Sequence, residues 1–214
     1  MSHLKRHAVP KEWPIARKGT TFVVKNTSKG VPILIVLRDM LKITQNRREV
    51  KKAIHMKHLM ISNKLVNDEK KCLELFDILT IIPSKKNYRI ILSEKGKYDL
   101  EEISEKDAKI KIAKIIEKKS LKNKKIQLNL GDGRNYISDI KCEVNDSVII
   151  DLEKKKISKH IPLKEKSPVL VIGGKHAGLK GTIEKIIPEL KMAEVKTKED
   201  KFNVLIKQLM VIGK

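Results

Sequence analysis

Residues Val169 to Lys185 read VLVIGGKHAGLKGTIEK, an apolar β-branched run that climbs into a glycine-spaced turn and leaves through a second apolar strand. Gly173, Gly174, Gly178 and Gly181 stand where the backbone must bend or take positive φ, which a side chain would penalise. Such a stretch folds as the hairpin of a small barrel. Lys175, His176 and Lys180 rise on its turn with nothing apolar nearby in the sequence to bury them. The loop belongs to a chain with 48 Lys and Arg against 26 Asp and Glu, a formal net charge of +22. An excess of that size repels itself unless a polyanion neutralises it, and it binds phosphate by releasing counterions. Codon bias inflates Lys and Ile, but it inflates Glu as well and leaves this imbalance unexplained. The pairing points to nucleic acid.

The length of 214 residues suits two or three small domains, and 40% hydrophobic content is enough to fold them. Cys72 and Cys142 form no C-x-x-C, so a disulfide framework or zinc ribbon is not expected and both read as reduced thiols. His3, Lys5, Arg6 and His7 are followed by no apolar segment, so no signal peptide is expected. The longest apolar run, Ile33 to Leu37, is too short to cross a bilayer. These features read as a soluble cytoplasmic protein with no membrane partner. Aromatic content of 3% is scattered over Phe22, Phe76, Phe202, Tyr88, Tyr98 and Tyr136, so recognition is expected to rest on phosphates and shape.

Catalytic patterns are missing. Gly174 to Thr182 departs from the nucleotide-triphosphate loop, and Gly131 to Tyr136 starts like a calcium loop without its closing Glu. The pairs His3/His7 and His55/His58 have no Cys or carboxylate cluster beside them. No Gly-x-Ser-x-Gly occurs. The expectation is a non-enzyme with no cofactor, no metal and no small-molecule substrate.

Along the chain, residues 1–36 read as a basic arm in which Trp13 pins an extended segment onto the protein's own surface. Pro32 opens a helix whose Ile33, Val36, Leu37, Met40 and Leu41 face a core. Asn46 caps a second helix, with Glu49 completing a capping-box-like pair. Arg48, Lys51, Lys52 and His55 follow at i, i+3, i+4 and i+7 and are expected to share one face. Leu59–Ile61 and Leu65–Val66 form a hairpin with Asn63 in the left-handed position, and Asp77 to Ile82 returns as a strand. From about Asn87 the period changes to strands. Tyr88–Leu92 and Tyr98–Ile103 make a hairpin, Ser104 and Asp107 a capped turn, and Ile126–Leu130 leads to the Gly131-Asp132-Gly133 turn. Val148–Leu152 follows the Asn145-Asp146 turn. The last module has strands at Val169–Ile172, Gly181–Ile187, Met192–Lys196 and Leu205–Val211, enough for a five-stranded barrel. The fold class is α+β and multidomain: a helix–helix–hairpin unit at 37–84, a central antiparallel β domain at 85–164 and a C-terminal barrel at 165–214.

The basic helix and the hairpin carrying Lys64 form a surface suited to an RNA backbone. Only Glu12, Asp39 and Glu49 are acidic in the first 60 residues, so internal partners are few. The expected RNA contacts are His3, Lys5, Arg6, His7, Lys11, Arg17, Lys18, Arg38, Arg47, Arg48, Lys51, Lys52, His55, Lys64, Lys175, His176 and Lys180.

Several stretches, in this order, resemble the archaeal and eukaryotic small-subunit ribosomal protein family S4e. They include His3-Leu4-Lys5-Arg6, Pro10-Lys11-Glu12-Trp13, Leu37-Arg38, Glu49-Val50-Lys51-Lys52 and Phe76-Asp77. Lys95-Gly96-Lys97, Val144-Asn145-Asp146, Gly173-Gly174 and Val211-Ile212-Gly213-Lys214 also agree. The resemblance implies that the helix–helix–hairpin unit is an alpha-L RNA-binding motif and the last module an SH3-like KOW barrel. It further implies a structural role in the small ribosomal subunit, against the 5′ domain of its RNA, beside neighbouring ribosomal proteins and not as a homo-oligomer. Asn63 stands where the family usually has Gly in the alpha-L hairpin. The loop from Lys18 to Val31 is shorter than in many members and lacks their Arg-Pro-rich character. The ending at Lys214, without a basic tail, is taken to favour an archaeal-type member. Two alternatives are a KOW-containing transcription elongation factor and the RNA-binding subunit of an RNA-modifying system. The second lacks the catalytic Asp domain it would need, and the helix–helix–hairpin unit argues against the first.

Overall fold

A computed structural model describes residues 3–121, 125–138, 140–197 and 200–213, so Lys214 of the closing motif lies outside the described residues. The chain divides into two compact units, Met1–Leu92 with Lys97–Lys109, and Ser93–Gly96 with Ile110–Lys214.

The first unit begins with a two-stranded ribbon, β1 (His3–Lys5) against β2 (Phe22–Val24). Arg6 closes the loop between them: its Nε donates to Thr20 O at 2.7 Å and its Nη1 to Ala16 O at 2.8 Å. Trp13 is buried and its indole N–H donates to Gly30 O at 2.9 Å, as an anchor on the protein's own surface should. Gly30 has φ +95°, and a Cβ there would lie 2.1 Å from Leu73 O, so only glycine fits.

β3 (Val31–Pro32) leads into α1 (Ile33–Ile35), which continues as a π-helical turn over Val36–Met40. Pro32 has no N–H to waste at this start, and the next two donors go to Lys71 O and Glu69 O. α2 (Arg47–His55) is capped as its sequence predicts. Asn46 Oδ1 accepts from Glu49 N at 3.1 Å, while Glu49 Oε2 accepts from Gln45 N at 2.7 Å. β4 (Leu59–Ile61) and β5 (Lys64–Leu65) form the hairpin, with Ser62 at φ 45° and Asn63 at φ 61°. Asn63 is where its side chain makes the left-handed turn affordable. Ser62 is held there because its hydroxyl donates to buried Asp77 at 2.6 Å.

β6 (Cys72–Leu73) pairs with β3, and β7 (Ile78–Ile81), β8 (Lys86–Leu92) and β9 (Tyr98–Ile103) extend the hairpin into a sheet ordered β5-β4-β7-β8-β9. β7 pairs onward with β8 from Ile78↔Arg89 to Ile81↔Lys86. Ile33, Ile35, Val36 and Leu37 pack with Val50, Ile54, Leu59, Leu79 and Ile90 in one core.

The second unit holds two five-stranded antiparallel sheets. The first is built from β10 (Ile110–Ser120), β11 (Ile126–Leu130), β12 (Asn135–Ser138), β13 (Ser147–Asp151) and β14 (Lys156–Ile161), in the order β12-β11-β10-β13-β14. The second is built from β15 (Pro168–Val171), β16 (Lys180–Ile187), β17 (Met192–Lys196), β18 (Lys201–Leu205) and β19 (Leu209–Val211), in the order β18-β17-β16-β15-β19. The expected strand Leu205–Val211 is thus two strands, broken by a 3₁₀ turn at Ile206–Gln208 whose first N–H bonds Lys191 O. Val169, Val171, Ile183, Val195 and Leu209 fill the core of this sheet.

β10 and β14 were not legible as strands, because lysines interrupt their apolar periods. Lys111 falls on the inward phase of β10 and is 1% exposed, its ammonium 2.6 Å from Asp132. Lys114 Nζ donates to Ile206 O at 2.8 Å and Leu209 O at 2.6 Å, and Ser147 Oγ accepts from Val211 N. These bonds tie the two sheets of this unit together.

Candidate nucleic-acid interface

The cations of α2 separate into two sets. Arg47 and Lys51, one turn apart, both reach Glu69, whose carboxylate is 5% exposed; the Lys51 ammonium lies at 3.8 Å. Arg48, Lys52 and His55 are exposed and have no ion-pair or side-chain hydrogen-bond partner among the described residues. All four residues expected to share one face are exposed on α2, and of them Lys51 also approaches the buried Glu69 carboxylate, whose charge would be costly to leave unpaired. Glu69 was missed in the sequence because its partners precede it by 18 and 22 positions. Val50 and Ile54 seat the helix on the core, which leaves Arg48, Lys52 and His55 facing solvent.

Lys64 is exposed on β5, the edge strand of its sheet. Arg38 pairs with Asp39 at 2.8 Å within the π-helical turn and is half-buried. On the arm, Lys5, His7, Lys11, Arg17 and Lys18 are exposed. His3 is also exposed, and its ring meets Phe22 edge-on at 4.2 Å. Arg6 is committed to the backbone of its own loop, and its third bond runs from Nη2 to Thr20 Oγ1 at 2.8 Å. That network organises the arm.

In the glycine turn of the second unit, Lys175 and Lys180 are exposed. His176, expected to stand clear of apolar groups, is half-buried instead, its ring stacked on Phe202 at 4.1 Å and 9°. Phe202 arrives from β18, far along the chain, so local sequence could not reveal it. Gly178 has φ +94°, and a Cβ there would fall 1.9 Å from Ser93 O. Gly181 needs no unusual φ, but a Cβ would press to 2.6 Å from Lys196 O. Gly173 has room for a side chain, so the bend does not require glycine there.

Glu184 of β16 is neutralised internally. Lys201 and Lys196 hold Glu184 at 2.6 and 3.5 Å, and the Lys201 bond keeps its carboxyl below the usual range. Burial lowers Lys114 from 10.5 to about 8, whereas burial and the nearby Glu12 raise the Tyr98 hydroxyl. Among the described residues, no His, Cys, Asp and Glu cluster could hold a metal ion, and no helix is long and apolar enough to cross a membrane.

Together these features define a basic, β-rich chain that turns one set of cations inward to build itself and leaves another outward. Residues 84–157 match the family described as Ribosomal family S4e, residues 2–30 the RS4NT (NUC023) domain, and residues 169–196 the KOW motif. The small ribosomal subunit protein eS4 of Methanocella arvoryzae is 35% identical over 223 residues, spanning 100% of this chain and 94% of that protein. The eS4 protein of Nanoarchaeum equitans is 34% identical over 86% of this chain and 82% of its own length. The crystal structure of the 30S ribosomal protein S4e from Thermoplasma acidophilum aligns with a TM-score of 0.74 at 26% identity, covering 87% of this chain and 96% of that one. The chain belongs to the ribosomal protein S4e family.

Proposed function

We propose that this chain is a structural, non-catalytic component of the small ribosomal subunit in the cytoplasm, bound to the RNA of that subunit. Similarity at 35% identity along its whole length to a protein named for the small subunit carries the reading. The chemistry agrees: Arg48, Lys52 and His55 are exposed, without a partner among the described residues, on a helix whose first turn is capped, and phosphate contacts from such a face fix register and orientation. Residues 37–84 act as an alpha-L module, its hairpin sheet continued by β8 and β9 at the start of the 85–164 segment, and residues 165–214 act as an SH3-like KOW barrel, with the arm at 1–36 preceding them. The contacts are those expected on the arm and on α2, together with Arg38, Lys64, Lys175, His176 and Lys180, made against the 5′ domain of the RNA. Neighbouring ribosomal proteins complete its surroundings; it takes no small-molecule substrate and does not self-assemble. The full-length similarity favours this over an elongation factor, with which only the KOW motif would be shared.

The test is a salt titration of the purified chain on small-subunit RNA. The logarithm of the binding constant should fall linearly with the logarithm of salt, by about 0.7 to 0.9 per phosphate neutralised. A flat response would contradict the proposal.

A further inference from the structure

The arm of the first unit also encloses a groove. Residues 6–17, with Lys97, enclose a space of about 360 Å³ whose lining includes Pro10, Trp13 and Ile15 together with His7, Lys11 and Arg17. Among the described residues no carboxylate side chain lines it. His7, Lys11 and Arg17 are exposed and have no ion-pair or side-chain hydrogen-bond partner among the described residues. Arg6, beside them, spends its guanidinium on Ala16 and Thr20 and so holds the loop open in this shape.

We infer that this groove receives one unpaired nucleotide of RNA, its base against Pro10, Trp13 and Ile15 and its phosphate among His7, Lys11 and Arg17. The inference rests on the RNA-binding reading above. The volume falls within the roughly 300–1,000 Å³ typical of small-ligand pockets. A surface that only neutralises a duplex backbone needs no recessed apolar lining. Conversely, a hollow left by packing alone gives no reason for Lys11 and Arg17 to line it without an acidic partner among the described residues. A space lined by apolar groups and basic side chains suits a planar ring joined to an anion, which is how unstacked bases are held on RNA-binding proteins.

Trp13 is the only tryptophan in the sequence, so its emission reports this groove alone. The full chain is titrated with a short single-stranded oligoadenylate, with an abasic strand of equal length and charge, and with free AMP. The oligoadenylate should quench Trp13 and bind roughly tenfold more tightly than the abasic strand, a usual size for one base contact. Ala8→Leu, which places bulk on the lining, should abolish that difference while leaving the circular dichroism unchanged. Should Ala8→Leu disturb the fold, the pair Lys11→Gln and Arg17→Gln gives the second reading, weakening oligoadenylate binding without unfolding. Equal affinity for both strands with no change in Trp13 overturns the groove and leaves RNA binding intact. Saturation by AMP at the concentration that suffices for the oligoadenylate assigns the groove to free nucleotides and overturns the proposal. Failure of every strand to bind contradicts the RNA-binding reading itself.

Discussion

Lys114 and Arg48 have the same formal charge and different duties. Lys114 is 6% exposed with its ammonium on two carbonyl oxygens, while Arg48 stands on an open helix face. Burial depresses the folded pKa of Lys114 to about 8 from 10.5, so the unfolded chain holds that proton more firmly. The site therefore costs stability in full below about pH 8, and the cost is relieved as pH rises towards 10.5. Compared with Lys114→Met by urea unfolding, the protein should gain up to about 1.4 kcal/mol of stability per pH unit across that window. A constant difference between the two from pH 7 to pH 10 would show that Lys114 does not titrate as its burial requires. Distinguishing such structural lysines from those available to RNA is what total charge alone cannot do.

At the scale of elements, α2 shows how a helix is aimed. Val50 and Ile54 fix its buried stripe, Asn46 and Glu49 close its first turn, and Glu69 takes Arg47 and Lys51 out of circulation. Arg48→Gln and Lys52→Gln should each weaken RNA binding at all sequences and lower the salt slope by about 1. Arg47→Gln should change the slope less, because its guanidinium is already paired. Equal effects from all three would mean that Glu69 releases its partners when RNA binds. The cap of this helix was legible in the sequence because capping boxes are local, and so were the Asn63 turn and the glycine hairpin. Less legible was the pairing of distant segments. A change of period near Asn87 marks new strands without saying that β8 joins β7. The stacking of His176 on Phe202 and the capture of Lys51 by Glu69 depend on residues brought together only by the fold. In β10 a signal was available: Lys111 shares the inward phase with Ala113 and Ile115, and Asp132 waits in the turn between β11 and β12 to receive it.

For the whole molecule, the formal charge of +22 overstates the surface available to RNA, since Lys111, Lys114, Arg6 and Arg47 are held inside the structure's own network. The remaining cations are spread over both units, and those expected to meet RNA are the ones on the arm, on α2, on β5 and on the glycine turn. A protein built this way gains from a polyanion what it lacks in internal partners, and its place should be on the RNA rather than free. Sedimentation of the tagged chain in cell extract at low salt tests this most directly. The account predicts that it travels with small ribosomal subunits and is released as salt is raised; a chain that stays at the top of the gradient, or travels with RNA polymerase, would contradict it.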